Sequence, residues 1–492
     1  MNAIQYIVMA LFYVVVAKTN ALTPADLGLL SVLSFIASTL VLSTLALPTA
    51  LTKFASEYMG KNQSQKAASV QRTLTRTVVM LSLAGLMVAT ILSAPLSQYF
   101  WGATENVPLI ILISISAFLM NLITLYRSGL RALQLFGKMA QVTLIYILIS
   151  RIIAAILALL GFGVSGVIIG YIIGSIAGLT AAITFVRGKF AKPNNRTPIK
   201  PLLQFSFPLF LSSLALLILS QADIIILASA TSNYALVGIY SVAVRSLLAL
   251  SVIWQPIMIT IFPVISARFG LQNPKGVSNA LKIASRYLSY TIIPSCVLLA
   301  TVAPTALNVF YGPNYVSGAT ALAILAISII LSALLTLLTT TLTAIGETKQ
   351  VLKINLISAL VAVTLLMSLV SMFDVIGAAL TRLAVRALSL TLAVHMLRKH
   401  VSVQLDREAL WKSVIASIMS VPFLFVLESV MTERFPAFQV LAAEILVAGV
   451  VYLASLYALK ALNGQDFELL RQYFPKPFSK LIDGLQKIMT RK

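Results

Sequence analysis

Charge is scarce in this sequence. Only 10% of its 492 residues are Asp, Glu, Lys or Arg, and 59% are hydrophobic. A soluble protein of this length could not cover its surface with so few charges. Acids are scarcer than bases, 14 against 36, and the net charge is +22. Cys296 is the one cysteine, so no intramolecular disulfide can form, and with two histidines in total there is no CxxC or metal-ligand cluster. The chain lacks a GxxxxGK[ST] phosphate loop, a DxD pair and an HExxH motif, and no nucleophile–base pairing stands out. No enzyme activity, catalytic residue, metal or cofactor is therefore expected. No basic stretch precedes the first apolar segment, so a cleavable signal is not expected either. No loop is long enough for a folded soluble domain.

What the sequence does have is apolar runs of membrane-spanning length, repeated from end to end. They predict an all-α integral membrane protein with about fourteen transmembrane helices, at 3–17, 27–51, 77–95, 107–126, 139–160, 163–186, 202–229, 235–263, 287–309, 319–344, 354–372, 375–397, 413–429 and 438–459. The first is short for a bilayer, which implies an upstream start or a helix that ends early.

The basic residues give the topology. If 52–76 is cytoplasmic, alternation puts 127–138, 187–201, 264–286, 345–353, 398–412 and the tail from Lys460 on the same side. Thirty of the 36 Lys and Arg fall there, and only Lys18 and Arg434 fall opposite. That is the positive-inside rule, and it places both termini in the cytoplasm. It also explains the net charge without nucleic acid. Arg127 and Arg131, at an inner span end, and His395 and His400 fit the same rule. The tail 461–492 mixes basic and apolar residues at helical spacing, as an amphipathic segment on the cytoplasmic membrane surface would.

The two halves repeat. At an offset of 210, "ADLGLLSV" (25–32) meets "ALVGIYSV" (235–242), "FASEYMG" (54–60) meets "VISARFG" (264–270), and "YFWG" (99–102) meets "VFYG" (309–312). After a drift of one, "FGVSG" (162–166) meets "FDVIG" (373–377). Six spans is an even number, so the halves insert with the same orientation. Parallel repeats of this kind pack about an axis along the membrane normal, with a cavity between them. The expected domains are a six-helix lobe at 1–198, a second at 199–400, two added helices at 401–460 and the tail.

Four arginines, Arg151, Arg245, Arg382 and Arg386, lie within spans. Each costs about 2.5–3.5 kcal/mol at the centre of a lipid-exposed helix. At 1.5 Å per residue Arg245 and Arg386 sit about 15–16 Å from the outer side and Arg151 about 18 Å from the inner side. All three are therefore near the midplane, where snorkelling cannot rescue them. Arg245, Arg382 and Arg386 align with Phe35, Tyr171 and Ser175, so the repeat does not require them. Arg382 and Arg386, four residues apart, form a stripe on one helix face. The expected role of all four is to line a cationic cavity and meet an anionic ligand, since guanidinium pairs bidentately with phosphate. Lys53, at the inner end of span 2, is a further candidate for an anionic headgroup. Asp223 is the plainest intramembrane acid. It is read as an ion pair with Arg245 across the outer loop, or as a coupling site for H⁺ or Na⁺. Glu428 and Glu444 are expected to reach the outer interface.

The stretches "LTPADLGLLSV", "LPTALTKFASEYMG", "LLQFSFPLFLSSLALLILSQADIIIL", "VGIYSVAVR", "VFYGPNYVSGATALAILA", "TAIGETKQVLKINLISA" and "DVIGAALTRLAVRAL" occur in that order. In them the chain resembles the Wzx-type polysaccharide (lipid-linked oligosaccharide) flippases of the multidrug/oligosaccharidyl-lipid/polysaccharide (MOP) exporter superfamily. The resemblance implies a multi-pass transporter of the cell membrane with a MATE/MOP-like fold. It would move a polyprenyl phosphate- or pyrophosphate-linked oligosaccharide to the outer leaflet by alternating access. Its expected partners are that lipid-linked oligosaccharide, the bilayer and glycan-assembly enzymes, and it would act as a monomer. The alternatives are a MATE-like multidrug exporter, for which an acidic cavity and twelve spans would be expected, and an energy-independent scramblase of the same fold.

Overall fold

The computed structural model describes residues 2–191 and 197–461. Apart from Ala461, the tail expected to be amphipathic lies outside them. In the first half, α1 (Asn2–Lys18) leads to α2 (Pro24–Leu42), α3 (Leu47–Gly60), α4 (Ser64–Ile91), the short α5 (Ser93–Trp101), α6 (Val107–Ala132) and α7 (Phe136–Leu157). A π-helical turn, Ala158–Phe162, joins α7 to α8 (Gly163–Val186). The second half runs through α9 (Ile199–Thr231), α10 (Tyr234–Ser246), α11 (Leu248–Gly270), α12 (Pro274–Thr301) and the short α13 (Ala303–Tyr311). A 3₁₀ turn at Pro313–Gly318 precedes α14 (Ala319–Ala344) and α15 (Thr348–Leu397); α16 (Arg407–Met431) and α17 (Ala437–Ala458) follow. Among the described residues there is no strand.

Eleven helical runs are long and apolar enough to cross a membrane. Two of these, 136–186 and 348–397, contain a reversal. In the first, Gly170 faces Ala154, Gly174 faces Ser150 and Gly178 faces Tyr146, the signature of an antiparallel hairpin. A Cβ on Gly170 would lie 2.4 Å from the Ala154 nitrogen, so only glycine allows this approach. In the second, the backbone leaves the helix at Asp374 (φ 45°, ψ −123°), and Gly377 lies against Leu369. With the short apolar helix Ile4–Lys18, these reversals bring the passes to the fourteen read from sequence. The protein is a multi-pass membrane protein. Its outward-facing apolar residues fit that setting: Met80, Ile91, Leu360 and Leu446 are each at least 70% exposed.

The repeat extends to the turns. Left-handed residues occur at Asn20 and Ser232, Asn62 and Gln272, Gly102 and Gly312, Gln134 and Gly346, and Gly163 and Asp374, pairs separated by 210–212 positions. Matching backbone bonds close them. Asn62 donates to Met59 and Gln63 to Tyr58; Gln272 donates to Phe269 and Asn273 to Arg268. These bonds satisfy the last carbonyls of the preceding helix.

Packing divides the chain into two compact units. Among the described residues, one holds those within 1–252, 310–321 and 352–385; the other holds 253–309, 322–351 and 386–461. The first has a core of Leu47, Leu51, Leu74, Val78, Leu125 and Leu202, all buried. In the second, Val302 and Ala306 pack with Leu424, Leu441 and Ala448 of the added helices.

Candidate functional site

The arginines in the first unit occupy two different settings. Asp223, on α9, is 4% exposed. Its carboxylate accepts from the Tyr240 hydroxyl, from Nε of Arg382 and, at 3.0 Å, from the amide of Ile224. Arg382 also donates through Nη2 to the Ser220 carbonyl at 2.9 Å. The expectation that Asp223 pairs with Arg245 is therefore corrected: its partner is Arg382. Helix phase explains the difference. Tyr240 and Arg245 are five residues apart, about 140° around α10, so the face that meets Asp223 is not the face that carries Arg245.

Arg245 instead reaches α1 and α2. Its guanidinium lies 4.0 Å from the centre of the Tyr13 ring, and Nη2 donates to Ser31 at 3.1 Å. Arg151, on α7, lies 4.3 Å from the Tyr171 ring and 5.3 Å from that of Phe12. Phe12 and Tyr13 are adjacent on α1, with ring centres 5.1 Å apart. The structure thus brings Arg151 and Arg245 to one aromatic dipeptide. Cation–π contact offsets part of their desolvation, but Nη1 of each is buried without a hydrogen-bond partner. Among the described residues, neither forms an ion pair. Each guanidinium thus keeps one buried donor that no described residue fills.

The other candidates lie elsewhere. Lys53 is exposed on α3, its ammonium 4.3 Å from the Phe205 ring and 4.9 Å from Phe54. Arg386 is half-buried, is not without a partner, and belongs to the second packing unit. Of the stripe read from Arg382 and Arg386, the outer member is paired with Asp223.

Sequence reasoning missed Phe12, Tyr13, Tyr171 and Tyr240 as partners of these charges. The adjacent Phe12–Tyr13 pair in a span too short to be an ordinary membrane anchor was the available signal. Glu444 requires a second correction. It does not reach the interface; it is 1% exposed on α17, and its Oε2 has no hydrogen-bond partner. It packs beside Leu441 and Ala448 of the added-helix core. A carboxylate unpaired in such a place is costly, and a neutral amide of the same shape costs less. Glu444→Gln is therefore expected to keep or raise the melting temperature in detergent, and Glu444→Lys to lower it sharply.

Among the described residues no three His, Cys, Asp or Glu converge as metal ligands.

The model of the polysaccharide biosynthesis protein family matches residues 1–269, more than half of the chain. The chain belongs to that family. Its fold is that of the MOP superfamily. The lipid II flippase MurJ in an inward closed conformation superposes with a TM-score of 0.75 at 17% identity, covering 92% of this chain and 96% of that one. An inward-facing multidrug resistance MATE family transporter of the MOP superfamily gives 0.63 at 16% identity, over 81% of this chain and 95% of its own. The MATE multidrug transporter DinF-BH gives 0.61 at 18%, over 83% and 94%. At these identities the likeness is one of fold. Among proteins with curated descriptions, none matches the chain in sequence.

Proposed function

We propose that this protein is a flippase. It moves an anionic polyprenyl phosphate- or pyrophosphate-linked oligosaccharide from the cytoplasmic to the outer leaflet of the cell membrane by alternating access. One observation carries the reading: two half-buried arginines, Arg151 and Arg245, lie on the adjacent Phe12 and Tyr13 rings and, among the described residues, each keeps an Nη1 donor without a partner. Phosphate oxygens would satisfy such donors, and the gain is larger in a low-dielectric site than in water. The polysaccharide family membership supports the same class of substrate. Lys53 is proposed to greet the headgroup on the cytoplasmic side, and Arg386 is proposed as a separate contact for it. The bias of Lys and Arg supports cytoplasmic termini, and the sequence repeat supports lobes at 1–198 and 199–400. Asp223, bonded to three donors, serves as an ion-pair anchor for Arg382.

An exporter of cationic drugs is disfavoured by the sign of this site. The test is flipping in sealed proteoliposomes, with fluorescent polyprenyl-pyrophosphate oligosaccharide compared with a cationic dye, with and without H⁺ and Na⁺ gradients. The lipid is expected to move and the dye to stay; export of the dye alone would overturn the proposal.

A further inference from the structure

The repeat pairs Gly28 with Gly238, and Pro24 with Tyr234, at a constant offset of 210. In the structure these equivalent residues meet each other. A Cβ on Gly28 would lie 2.0 Å from the carbonyl oxygen of Tyr234, and one on Gly238 would lie 1.7 Å from that of Pro24. The contact is reciprocal: glycine of one half against the position-24 equivalent of the other, and the reverse. Such a self-complementary contact lies on the symmetry axis that relates the halves. Small residues are what let two membrane helices cross this closely.

We infer that the crossing of α2 and α10 is the outer gate of the transporter, shut in this structure, with Gly28 and Gly238 as the contact that shuts it. The inference rests on the proposed flippase reading and adds the residues that seal one side. Three further observations agree. Both helices begin at the crossing, and both starts are fixed: Thr23 and Asp26 cap α2 reciprocally, and the Asn233 carboxamide accepts from Ala235 and Leu236 at 3.1 and 3.3 Å. Firm helix starts hold the contact in register. Beside it, the Trp101 and Tyr234 rings stack at 5.8 Å, and the Tyr234 hydroxyl donates to the Phe100 carbonyl. The packing unit that contains the first repeat also takes in residues 199–252, 310–321 and 352–385 of the second, so the halves are joined within one unit. The crossing lies one turn or two beyond the Arg245–Ser31 bond.

Real Cβ contacts do not fall below 3.0 Å. Alanine at either glycine must therefore part the helix starts by at least an ångström. The test uses Cys296→Ser with Ser31→Cys as a reporter inside the crossing, labelled from outside with a membrane-impermeant thiol reagent. Gly28→Ala and Gly238→Ala are each expected to speed labelling about tenfold, alike because the contact is reciprocal. Gly170→Ala, at a glycine inside the α7–α8 hairpin whose Cβ would also fall below 3.0 Å, is expected to lower stability without changing the labelling rate. Labelling no faster in folded Gly28→Ala and Gly238→Ala than in the parent overturns the inference.

Should the alanine variants not fold, a second measurement decides. Ala25→Cys with Ala235→Cys, joined by a short cleavable thiol cross-linker, should stop lipid flipping and recover it on cleavage. Undiminished flipping by the cross-linked protein overturns the gate. Failure of the flippase reading looks different: the untreated protein then moves no lipid, whereas thiol labelling needs no substrate.

Discussion

Arg151→Gln combined with Arg245→Gln is expected to reduce flipping of a pyrophosphate-linked lipid by about 10²–10⁴-fold, since each charge-assisted bond to phosphate contributes about 1.5–3 kcal/mol. The fold should survive. Among the described residues each arginine lies on an aromatic ring with no carboxylate partner, and its Nη1 is already unsatisfied. Removing an unpaired buried charge relieves desolvation, so the double variant should unfold at the same temperature as the parent or higher. Initial flipping rate and thermal unfolding in detergent, measured on one preparation, check both halves. A parental rate would show that the platform on Phe12 and Tyr13 is structural. A large loss of stability would show that the arginines hold the helices together.

Asp223→Asn should behave in the opposite way. Its carboxylate receives Tyr240, Arg382 and the Ile224 amide in a buried setting. Removing the charge strands a guanidinium, and breaking a buried pair from one side costs about 3–5 kcal/mol. Asp223→Asn is therefore expected to cause the steepest drop in thermal stability and in membrane abundance of the single substitutions named. Adding Arg382→Gln should restore most of it, because two neutral groups of similar shape leave no orphaned charge. If Arg382→Gln failed to rescue Asp223→Asn, the ion pair would not be the source of the loss.

Much of this architecture was legible in the sequence because lipid imposes strong rules. Runs of about 20 apolar residues mark the spans, and the skew of basic residues marks their direction. The turn at Asp374 was legible for another reason: "FDVIG" repeats "FGVSG", and Gly163 and Asp374 adopt the same kind of left-handed conformation. Side-chain partners were less accessible. Proximity across the outer loop suggested Arg245 for Asp223, but partner choice depends on helix rotation, and a difference of five residues turned Arg245 toward α1. Glu444 was placed at the interface by its distance from the end of α17, yet it lies on the face of that helix that is buried, with Val440 and Leu441. The Gly28–Gly238 contact was present in the aligned repeat as two equivalent letters. Only three dimensions show that the equivalents touch.

The central claim is that buried arginines read the phosphate of a lipid-linked sugar. The most direct measurement is native mass spectrometry of the detergent-solubilised protein with three ligands of equal chain length: polyprenyl pyrophosphate, polyprenyl phosphate and uncharged polyprenol. The account predicts retention in that order, with the advantage of the phosphorylated lipids lost in Arg245→Gln and further reduced with Arg151→Gln. Equal retention of the uncharged polyprenol, or unchanged retention of the pyrophosphate by the arginine variants, would contradict it.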